Sequence, residues 1–539
     1  MTDSSPTAVH TTREGMIERA HTTEYDVVVI GGGIAGTGIA RDAAMRGLKT
    51  LLVERNDVSS GTTAGSTRLV HGGLRYLELL EFGLVFESLR ERETLAEIAP
   101  HLVEPLTFIV PTYDAGLTTH AKRRLGMVLY DLLSYGKTMP RHEHLSPSAV
   151  VEREPTLPEE GLRGGFTYHD RTVAFVERLC VENVIDAVEH GGDVVNHLEA
   201  EELLTEDGHV TGIVARETLT DETFSVNARS VLNAAGPWAD EVVEGVATER
   251  LVRPTKGVHL VLPSLTDHAL TLPTTDDRVI FVVPWNELSL VGTTDTDYRS
   301  DPAEAAADGE DVAYLLDELQ QYFPDIDESA VHYTYAAVRP LYNSGSGTDA
   351  SAVSRKHCVV DHGDECAGLF SLIGAKITPY RAAAAEAVTA VETHLGRKTP
   401  CRTATTPLPG ARGRWEADDE GRLSERTIDH LRGLYGSRAE SVAARIRREP
   451  ALAEPLCEHT QDVLAQVPVA VEEEYARTLT DVLFRRCTVG YAECEGRCAV
   501  ETVAEHMAGL LDWDAERTAR EIEAYERVLD RRHAFSHTD

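Results

Sequence analysis

The stretch that decides the fold is residues 25–54, YDVVVIGGGIAGTGIARDAAMRGLKTLLVE. Its β-branched run Val27–Ile30 is followed at once by glycines, which predicts a buried parallel strand ending in a tight turn. Residues 34–46 predict a helix, and residues 48–54 predict a second buried strand. Together they form a βαβ unit of about 30 residues, the seed of an α/β fold.

The turn carries the pattern G-x-G-x-x-G in Gly31, Gly33 and Gly36, and Glu54 ends the second strand. Gly31 permits the turn, Gly33 lets the backbone approach a pyrophosphate, and Gly36 lets the helix pack closely on the strand. The helix N-terminus stabilises phosphate charge, and Glu54 can accept hydrogen bonds from a ribose diol. The pattern predicts a dinucleotide-binding site but does not distinguish NAD from FAD. The sequence has no second such pattern, and a single site in a chain this long favours a tightly held FAD.

Composition narrows the function classes. The chain has 539 residues, which predicts two to four domains at roughly 100–200 residues each. It carries 52 basic and 89 acidic residues, which gives a net charge of −37. The negative electrostatic potential of such a protein repels phosphate backbones and disfavours nucleic acid as a partner. Only seven of the basic residues are lysines. High acidity with little lysine is typical of proteins from a salt-saturated cytoplasm, where salt screens the self-repulsion.

The chain offers no signal for export or membrane insertion. Its eight cysteines are too few for a disulfide scaffold. Residues 1–24 are polar, and no apolar run approaches the roughly 18 residues of a membrane span. We therefore expect a flexible N-terminal extension over residues 1–24. We also expect a protein that is cytoplasmic, or peripheral on the cytoplasmic face of the cell membrane.

The pattern of predicted strands and helices changes twice along the rest of the chain. Residues 254–343 alternate strand-like stretches with turns, which predicts a second, more antiparallel domain. After about residue 400 the sequence is charged, helix-like and poor in strands. Elsewhere in the chain, strands are expected at 210–216, 225–233 and 369–373, and helices at 84–98, 175–190 and 379–394.

Six stretches occur in the order expected for one family: VVVIGGGIAGTGIARDAAMRGL, STRLVHGGLRYLE, NAAGPW, GTTDTDY, AVRPL and IGAKITPYR. They closely resemble the FAD-dependent glycerol-3-phosphate dehydrogenases, which feed electrons to respiratory quinones. The resemblance covers about residues 25–400, and EEEYARTLTDVLFRR further on is similar to the family's helical cap.

The resemblance implies a fold of the D-amino-acid-oxidase-like superfamily. A Rossmann-type FAD-binding domain would be interleaved with a β-rich substrate domain, followed by an α-helical C-terminal cap domain. The FAD-binding segments would be about 25–110, 165–240 and 355–400, the substrate segments about 111–164 and 241–354, and the cap 411–539.

The resemblance also implies the site residues. FAD would lie against the fingerprint, the loop that follows it and two later turns: Gly31, Gly33, Ile34, Gly36, Glu54, Thr62, Thr63, Ser66, Gly236, Gly374, Ile377 and Thr378. The substrate is a phosphate ester with nearly two negative charges, so cations and hydrogen-bond donors would hold it. These are His71, Arg75, Tyr76, His259, Arg339, Arg355 and Lys376. Ala375 and Pro379 depart from the residues that the family usually shows.

The implied reaction is hydride transfer from C2 of glycerol 3-phosphate to the flavin, with a base removing the hydroxyl proton. His259 is the first candidate for the base and His71 the second, and Arg339 would steady the developing oxyanion. Because no nicotinamide domain is visible, electrons would pass to a quinone or a redox partner subunit, with peripheral membrane contact. A glycerol-3-phosphate oxidase using oxygen, a related flavin amine oxidase and a non-catalytic flavin-binding module remain alternatives. The cluster of phosphate-binding cations argues against the last two.

Three cysteines near the C-terminus raise a separate question. A three-subunit branch of this family ends in a domain whose four cysteines hold an iron–sulfur cluster. Here only Cys494 and Cys498 stand near that position, and Cys457-Glu458-His459 replaces a Cys-x-Cys pair. A cluster with mixed ligands is conceivable. Free thiols are the simpler expectation, so no metal site is predicted.

Overall fold

A parallel sheet carries the glycine-rich turn at the carboxyl end of one of its central strands. The computed structural model describes residues 12–73, 81–113, 126–134, 138–276, 278–343, 356–417 and 421–537. The six strands are parallel except for the first, which is antiparallel to its neighbour. In spatial order they are Cys358–Asp361, Leu369–Ile373, Val231–Asn233, Val27–Ile30, Thr50–Glu54 and Asp193–Asn196.

Apolar layers cover both faces of this sheet, which is why its central strands are buried throughout. Three helices pack on one face: Ile34–Met45, Val176–Glu189 and Tyr380–His394. The other face packs against a four-stranded sheet and the helix Arg13–Thr22. That sheet has the order Glu24–Tyr25, Thr223–Ala228, His209–Glu217 and Leu198–Glu206.

A large, mostly antiparallel sheet forms the other half of the structure before the C-terminal helices. Its order is Thr296–Asp297, Val252–Pro263, Leu288–Gly292, Val279–Trp285, Ala269–Pro273, Glu104–Tyr113, Leu162–Thr172 and Leu69–Val70. Tyr333–Tyr342 pairs with Val252–Pro263, and Glu143–Leu145 pairs with Leu162–Thr172. The helices of this half are Phe82–Ile98, Pro147–Arg153 and Gly309–Gln320, and residues 126–133 are also helical. The short helix Ala239–Val242 packs between the parallel sheet and the four-stranded sheet.

The C-terminal part is helical, as expected. Its helices are Glu425–Tyr435, Ala439–Arg448, Gln466–Glu472, Leu479–Arg485, Val500–Leu511 and Ala515–Arg532. In the described residues after 400, the β-pairing is limited to one isolated bridge between Pro455 and Val463. Nowhere in the described parts of the chain is a helix both long and apolar enough to cross a membrane.

Buried ion pairs join this part to the parallel sheet. The carboxylate of Glu474 accepts two hydrogen bonds from the guanidinium of Arg178, at 2.6 and 2.9 Å. The carboxylate of Asp57 likewise receives two from Arg486, at 2.8 and 3.0 Å. These contacts fix the cap against the elements that carry the glycine-rich turn.

The expected flexible N-terminal extension is wrong for residues 13–24. Arg13–Thr22 is a helix, and Met16 and Ala20, one turn apart, bury against the four-stranded sheet. The Arg13 guanidinium is buried as well and donates to Glu217 at 2.5 Å and to the Asn196 carbonyl. Local polarity misled the prediction, because the partners that satisfy Arg13 lie far away in the sequence.

Two expected segment boundaries are also wrong. The borders at 110/111 and 164/165 fall inside the strands Glu104–Tyr113 and Leu162–Thr172, which pair with each other in the large sheet. The single strand expected over residues 225–233 is two strands in different sheets, Thr223–Ala228 and Val231–Asn233. The α/β architecture with a β-rich half and a helical cap is confirmed.

Candidate active site

A cleft of about 2050 Å³ lies where the turns of the parallel sheet meet the large sheet. Small-ligand pockets typically measure about 300–1,000 Å³, so this cleft has room for a dinucleotide and a second molecule. Fifteen of the expected site residues line it: Gly31, Gly33, Ile34, Glu54, Thr62, Thr63, Ser66, His71, Gly236, His259, Arg339, Gly374, Lys376, Ile377 and Thr378. Arg75, Tyr76 and Arg355 lie outside the described residues, so their expected roles stay predictions.

The glycine-rich turn has the geometry that its pattern predicts. Gly31 has a φ of +106°, and a Cβ added there would stand 2.6 Å from the carbonyl oxygen of Ala234. Gly36 does not line the cleft but packs beneath it, where a Cβ would collide with the Gly31 carbonyl. Gly33 begins the helix Ile34–Met45 without a side-chain cap. The N-terminus of that helix lines the cleft, and the positive end of a helix suits a pyrophosphate.

Glu54 is held in place by the same turn. Its two carboxylate oxygens accept backbone hydrogen bonds from Gly32, at 2.6 Å, and from Asn56, at 2.9 Å. Burial raises the pKa of Glu54. Each oxygen has a second lone pair, so the carboxylate can still receive ribose hydroxyls. The chemistry of this donor and acceptor set fits the adenosine half of FAD.

Arg55 and Trp238 line the same end of the cleft and were not expected there. The Arg55 guanidinium lies 4.2 Å from the centroid of the Trp238 ring, a cation–π contact. Trp238 stands in the NAAGPW stretch quoted above. Its use as a platform for Arg55 depends on a contact between residues about 180 positions apart, so no local pattern could reveal it.

The loop after Glu54 bridges the two sheets. Thr63 Oγ1 accepts the Ile34 N–H at 3.0 Å, and Thr62 Oγ1 donates to the Val338 carbonyl at 2.6 Å. A Cβ on Gly65 would collide with Ala337, so the loop can lie this close to the strand Tyr333–Tyr342 only with glycine there. The loop thereby sets the distance between the fingerprint and the large sheet.

His259 is buried on the strand Val252–Pro263 and faces the cleft. Its Nε2 is 2.8 Å from Thr67 Oγ1, and its ring stacks on Tyr335. The other ring nitrogen, Nδ1, is buried with no hydrogen-bond partner among the described residues. Burial, together with the charges of Arg339 and Arg68, lowers the pKa of His259 to about 3. The imidazole is therefore neutral at neutral pH, and its Nδ1 is unpaired among the described residues.

Arg339 lies beside His259 on the neighbouring strand. Its guanidinium donates to Thr293 Oγ1 at 2.9 Å and to the Thr294 carbonyl at 3.1 Å, and pairs with Asp295 at 3.2 Å. The side chain passes over Gly257, where a Cβ would stand 2.5 Å from its Cζ.

A second glycine makes room for the histidine. A Cβ at Gly292 would stand 2.5 Å from Cδ2 of His259. Sequence reasoning did not single out either Gly257 or Gly292 for this role. Glycines inside otherwise regular strands were the available signal, since they mark close approach.

His71 and Lys376 line the cleft near the turn at residues 374–378. The His71 backbone N–H donates to Thr378 Oγ1 at 3.0 Å. Burial lowers the pKa of His71; Asp170 opposes this shift, and the charge of Lys376 adds to it. Gly374 has a φ of +76°, whereas Ala375 is not among the positive-φ residues, so the alanine that departs from the family pattern is not strained.

Arg68 is the residue that sequence reasoning missed most clearly. Its guanidinium forms a double hydrogen bond with buried Glu177, both at 2.7 Å. It is flanked by the rings of Trp285 and Tyr491, at 4.8 and 4.7 Å from their centroids. Tyr491 belongs to the C-terminal part and donates its hydroxyl to Glu177 at 2.6 Å. The cap therefore forms part of the wall behind the cleft.

Comparison with known proteins identifies the family. The family model of FAD-dependent oxidoreductases matches residues 26–381, and that of the C-terminal domain of alpha-glycerophosphate oxidase matches residues 401–518. The chain is 38% identical to a glycerol-3-phosphate dehydrogenase of Synechocystis sp., over 94% of this chain and 97% of that one. The chain belongs to the FAD-dependent glycerol-3-phosphate dehydrogenase family. A bovine mitochondrial glycerol-3-phosphate dehydrogenase is 33% identical, over 94% of this chain and 74% of that one.

Solved structures agree with this family membership. The glycerol-3-phosphate dehydrogenase from Bacillus halodurans, complexed with FAD, superposes with a TM-score of 0.75 at 29% identity, over 96% of this chain and 97% of that one. An L-alpha-glycerophosphate oxidase from Mycoplasma pneumoniae, with FAD bound, has a TM-score of 0.54 at 16% identity, over 72% of this chain and all of that one. The second likeness concerns the fold alone. FAD is thus the family's cofactor, and the glycine-rich turn and Glu54 fit it.

Proposed function

We propose that the protein oxidises sn-glycerol 3-phosphate to dihydroxyacetone phosphate. The observation that carries the proposal is the pairing of a buried, neutral His259, whose Nδ1 has no partner among the described residues, with a neighbouring Arg339. Both lie in the cleft that also contains the glycine-rich turn. The names of the relatives support this choice of substrate.

His259 would act as the base through Nδ1. With Nε2 donating to Thr67, the lone pair on Nδ1 can accept the proton of the C2 hydroxyl. The positive charge of Arg339 opposes that protonation while the cleft holds no substrate. A bound phosphate dianion offsets the charge of Arg339 and raises the pKa of His259. Burial remains the larger cause of the lowered pKa, and a bound substrate would make proton transfer to Nδ1 more favourable than it is without substrate.

Arg339 and Lys376 would bind the anionic end of the substrate and the oxyanion that develops at C2. Arg339 is pre-oriented by its three partners on residues 293–295, so little reorganisation is needed when charge develops. FAD, when bound, supplies the acceptor for the hydride leaving C2.

The electron acceptor would be a membrane quinone, reached through an apolar patch beside the cleft. We define this patch by four exposed side chains on the helix Phe82–Ile98 and the helical residues 126–133: Phe82, Phe86, Val128 and Leu132. Phe82 also lines the cleft, so the patch and the site are continuous. The net charge of −37 disfavours binding of the chain as a whole to anionic headgroups, so apolar insertion of the patch would supply the membrane contact.

An anaerobic titration in molar KCl tests the substrate. Adding sn-glycerol 3-phosphate should bleach the flavin absorbance, whereas glycerol and sarcosine should leave it unchanged. Bleaching by sarcosine instead would favour the amine oxidase alternative. Readmitting oxygen then separates dehydrogenase from oxidase: rapid, stoichiometric peroxide would contradict the quinone proposal.

A variant pair tests the apolar patch. The double variant Phe86→Ser/Leu132→Ser should be reduced by substrate at the normal rate but reoxidised more slowly by quinone in lipid vesicles. Leu510→Ser is the matched control, because Leu510 is also an exposed apolar side chain but belongs to the cap helix Val500–Leu511. Equal reoxidation rates in the double variant and the control would contradict a role for the patch.

A further inference from the structure

Three cysteine sulfurs converge in the cap, away from the cleft. Cys457 comes from the loop before the helix Gln466–Glu472, and Cys494 and Cys498 come from the turn before the helix Val500–Leu511. The Sγ atom of Cys457 lies 3.4 Å from that of Cys494 and 2.9 Å from that of Cys498, and the latter two are 3.4 Å apart. None of the three is in a disulfide.

A histidine and a backbone donor stand beside these sulfurs. The His459 backbone N–H donates to Cys457 Sγ at 3.3 Å, and the Nδ1 of the same histidine is 3.7 Å from that sulfur. Cys457 is buried against the core of the cap, whereas Cys498 and His459 are exposed. The cluster is therefore anchored on one side and open to solvent on the other, so an ion can reach it.

We propose that Cys457, Cys494 and Cys498 bind one thiophilic divalent ion, Zn²⁺ by its ligand preference, with His459 completing a tetrahedral site. A Zn–S bond of about 2.3 Å places sulfurs about 3.8 Å apart in a tetrahedron. The observed separations are slightly shorter, so an ion entering the cluster needs to spread the sulfurs by less than about 1 Å. Binding releases the thiol protons, because thiolates are the ligands.

The spacing argues for one metal atom rather than a cluster. A [2Fe–2S] cluster binds two cysteines on each of its two iron atoms, so the sulfur of a third cysteine lies on the other iron, well away from the first pair. Here all three sulfurs lie within 3.4 Å of one another, an arrangement that suits ligands of a single metal atom. Three thiolates with a histidine are a known ligand set of structural zinc sites, which have no open position.

The bound ion would hold in place the part of the cap that forms the wall behind the active site. The turn that carries Cys494 and Cys498 also carries Glu495, which is buried and pairs with Arg532 at 3.0 Å and with His533 at 2.6 Å. Arg532 lines the cleft, and its guanidinium lies 3.6 Å from the centroid of the Tyr333 ring. Fixing this turn therefore fixes a side chain of the catalytic cleft from the cap.

Metal analysis of the full-length flavoprotein tests the proposal. Protein purified from a zinc-supplemented culture should contain about one zinc per chain by mass spectrometry. Exchange into Co²⁺ should produce a thiolate charge-transfer band and tetrahedral d–d bands in the red, where oxidised flavin does not absorb. Cys494→Ser and Cys498→Ser should lose the ion. Cys401→Ser should keep it, because Cys401 lies by Arg381 and Thr403 outside the cluster.

A measurement on the unsubstituted protein tests the same proposal and does not depend on whether the variants fold. Zn²⁺ should protect the three clustered thiols from alkylation, read by peptide mass spectrometry, and a chelator should remove that protection and lower Tm without releasing flavin. Unchanged alkylation with and without Zn²⁺ would overturn the proposal. A Cys457–Cys498 disulfide, or iron with acid-labile sulfide in place of zinc, would overturn it equally.

Discussion

Replacing Gly257 by alanine isolates the position of Arg339 from the stability of the fold. The added Cβ would stand 2.5 Å from Cζ of Arg339, whereas ordinary contact begins near 3.4 Å. The guanidinium must therefore move by about 1 Å away from the oxygen atoms on residues 293–295 that accept its hydrogen bonds. Gly257 has no positive φ, and the obstacle is the flexible end of a side chain. We expect the free energy of unfolding to change by less than about 1 kcal/mol.

The expected kinetic effect is much larger. A misplacement of about 1 Å in a catalytic group costs about 10²-fold in rate, equivalent to about 2.7 kcal/mol of activation free energy. The value of kcat/KM for sn-glycerol 3-phosphate should thus fall about 100-fold, with FAD content unchanged. Stopped-flow flavin reduction under anaerobic conditions measures this directly.

A control and a refuting result complete the test. Gly433→Ala adds the same methyl to the helix Glu425–Tyr435, where nothing lies within 4 Å, and should leave flavin reduction unchanged. If Gly257→Ala reduces its flavin at the normal rate, Arg339 does not need its present position, and its proposed role with the substrate is wrong. A parallel loss of activity and Tm would instead show that the effect is structural.

Three further predictions concern the cofactor, the base and the cap. Gly36→Ala should abolish FAD binding, because its Cβ collides with the rigid Gly31 carbonyl; the flavin-to-protein absorbance ratio measures this. His259→Asn should slow flavin reduction about 10²–10⁴-fold. The pKa of His259 is lowered to about 3 in the folded protein, so the wild-type fold loses stability as pH falls below 6.5. The loss is about 1.4 kcal/mol at pH 5.5. Tm of the His259→Asn variant should therefore be less sensitive to pH over this range than Tm of the wild type. Glu474→Gln should reduce the free energy of unfolding by about 3–5 kcal/mol in urea titrations, because it leaves Arg178 buried without its counter-charge.

The pH dependence of the Glu474 contribution has a definite sign. Burial alone would raise its pKa, but the charges of Arg178 and Arg438 outweigh burial and lower the pKa to about 2. Its stabilising contribution is therefore complete above pH 4.5 and is lost as pH falls toward 2. Glu472→Gln, at a half-exposed site on the same helix end, is the control and should change stability by less than about 0.5 kcal/mol. Equal effects of the two substitutions would contradict the buried ion-pair argument.

The parts of the site that sequence predicts are those that local chemistry determines. The turn at Gly31–Gly36 follows from residues within one βαβ unit, and the structure reproduces it. The Arg68–Glu177 pair joins residues 109 positions apart, and Arg68 is flanked by Tyr491 from the cap. The cysteine cluster likewise needs a loop and a turn to meet. Such contacts depend on tertiary packing. The sequence pattern singled out the three cysteines, but it did not show that their sulfurs lie together, and it did not indicate the Arg68–Glu177 pair.

The excess of arginine over lysine has a structural use in addition to any adaptation to salt. Buried guanidinium groups here bind carboxylates through two parallel hydrogen bonds, a geometry that an ammonium group cannot provide. Four such pairs connect distant segments: Arg68–Glu177, Arg178–Glu474, Arg381–Glu91 and Arg486–Asp57. Salt screens exposed charges strongly and buried pairs much less. The buried ion pairs should therefore depend only weakly on salt concentration, and most of the salt dependence of stability should arise from the acidic surface.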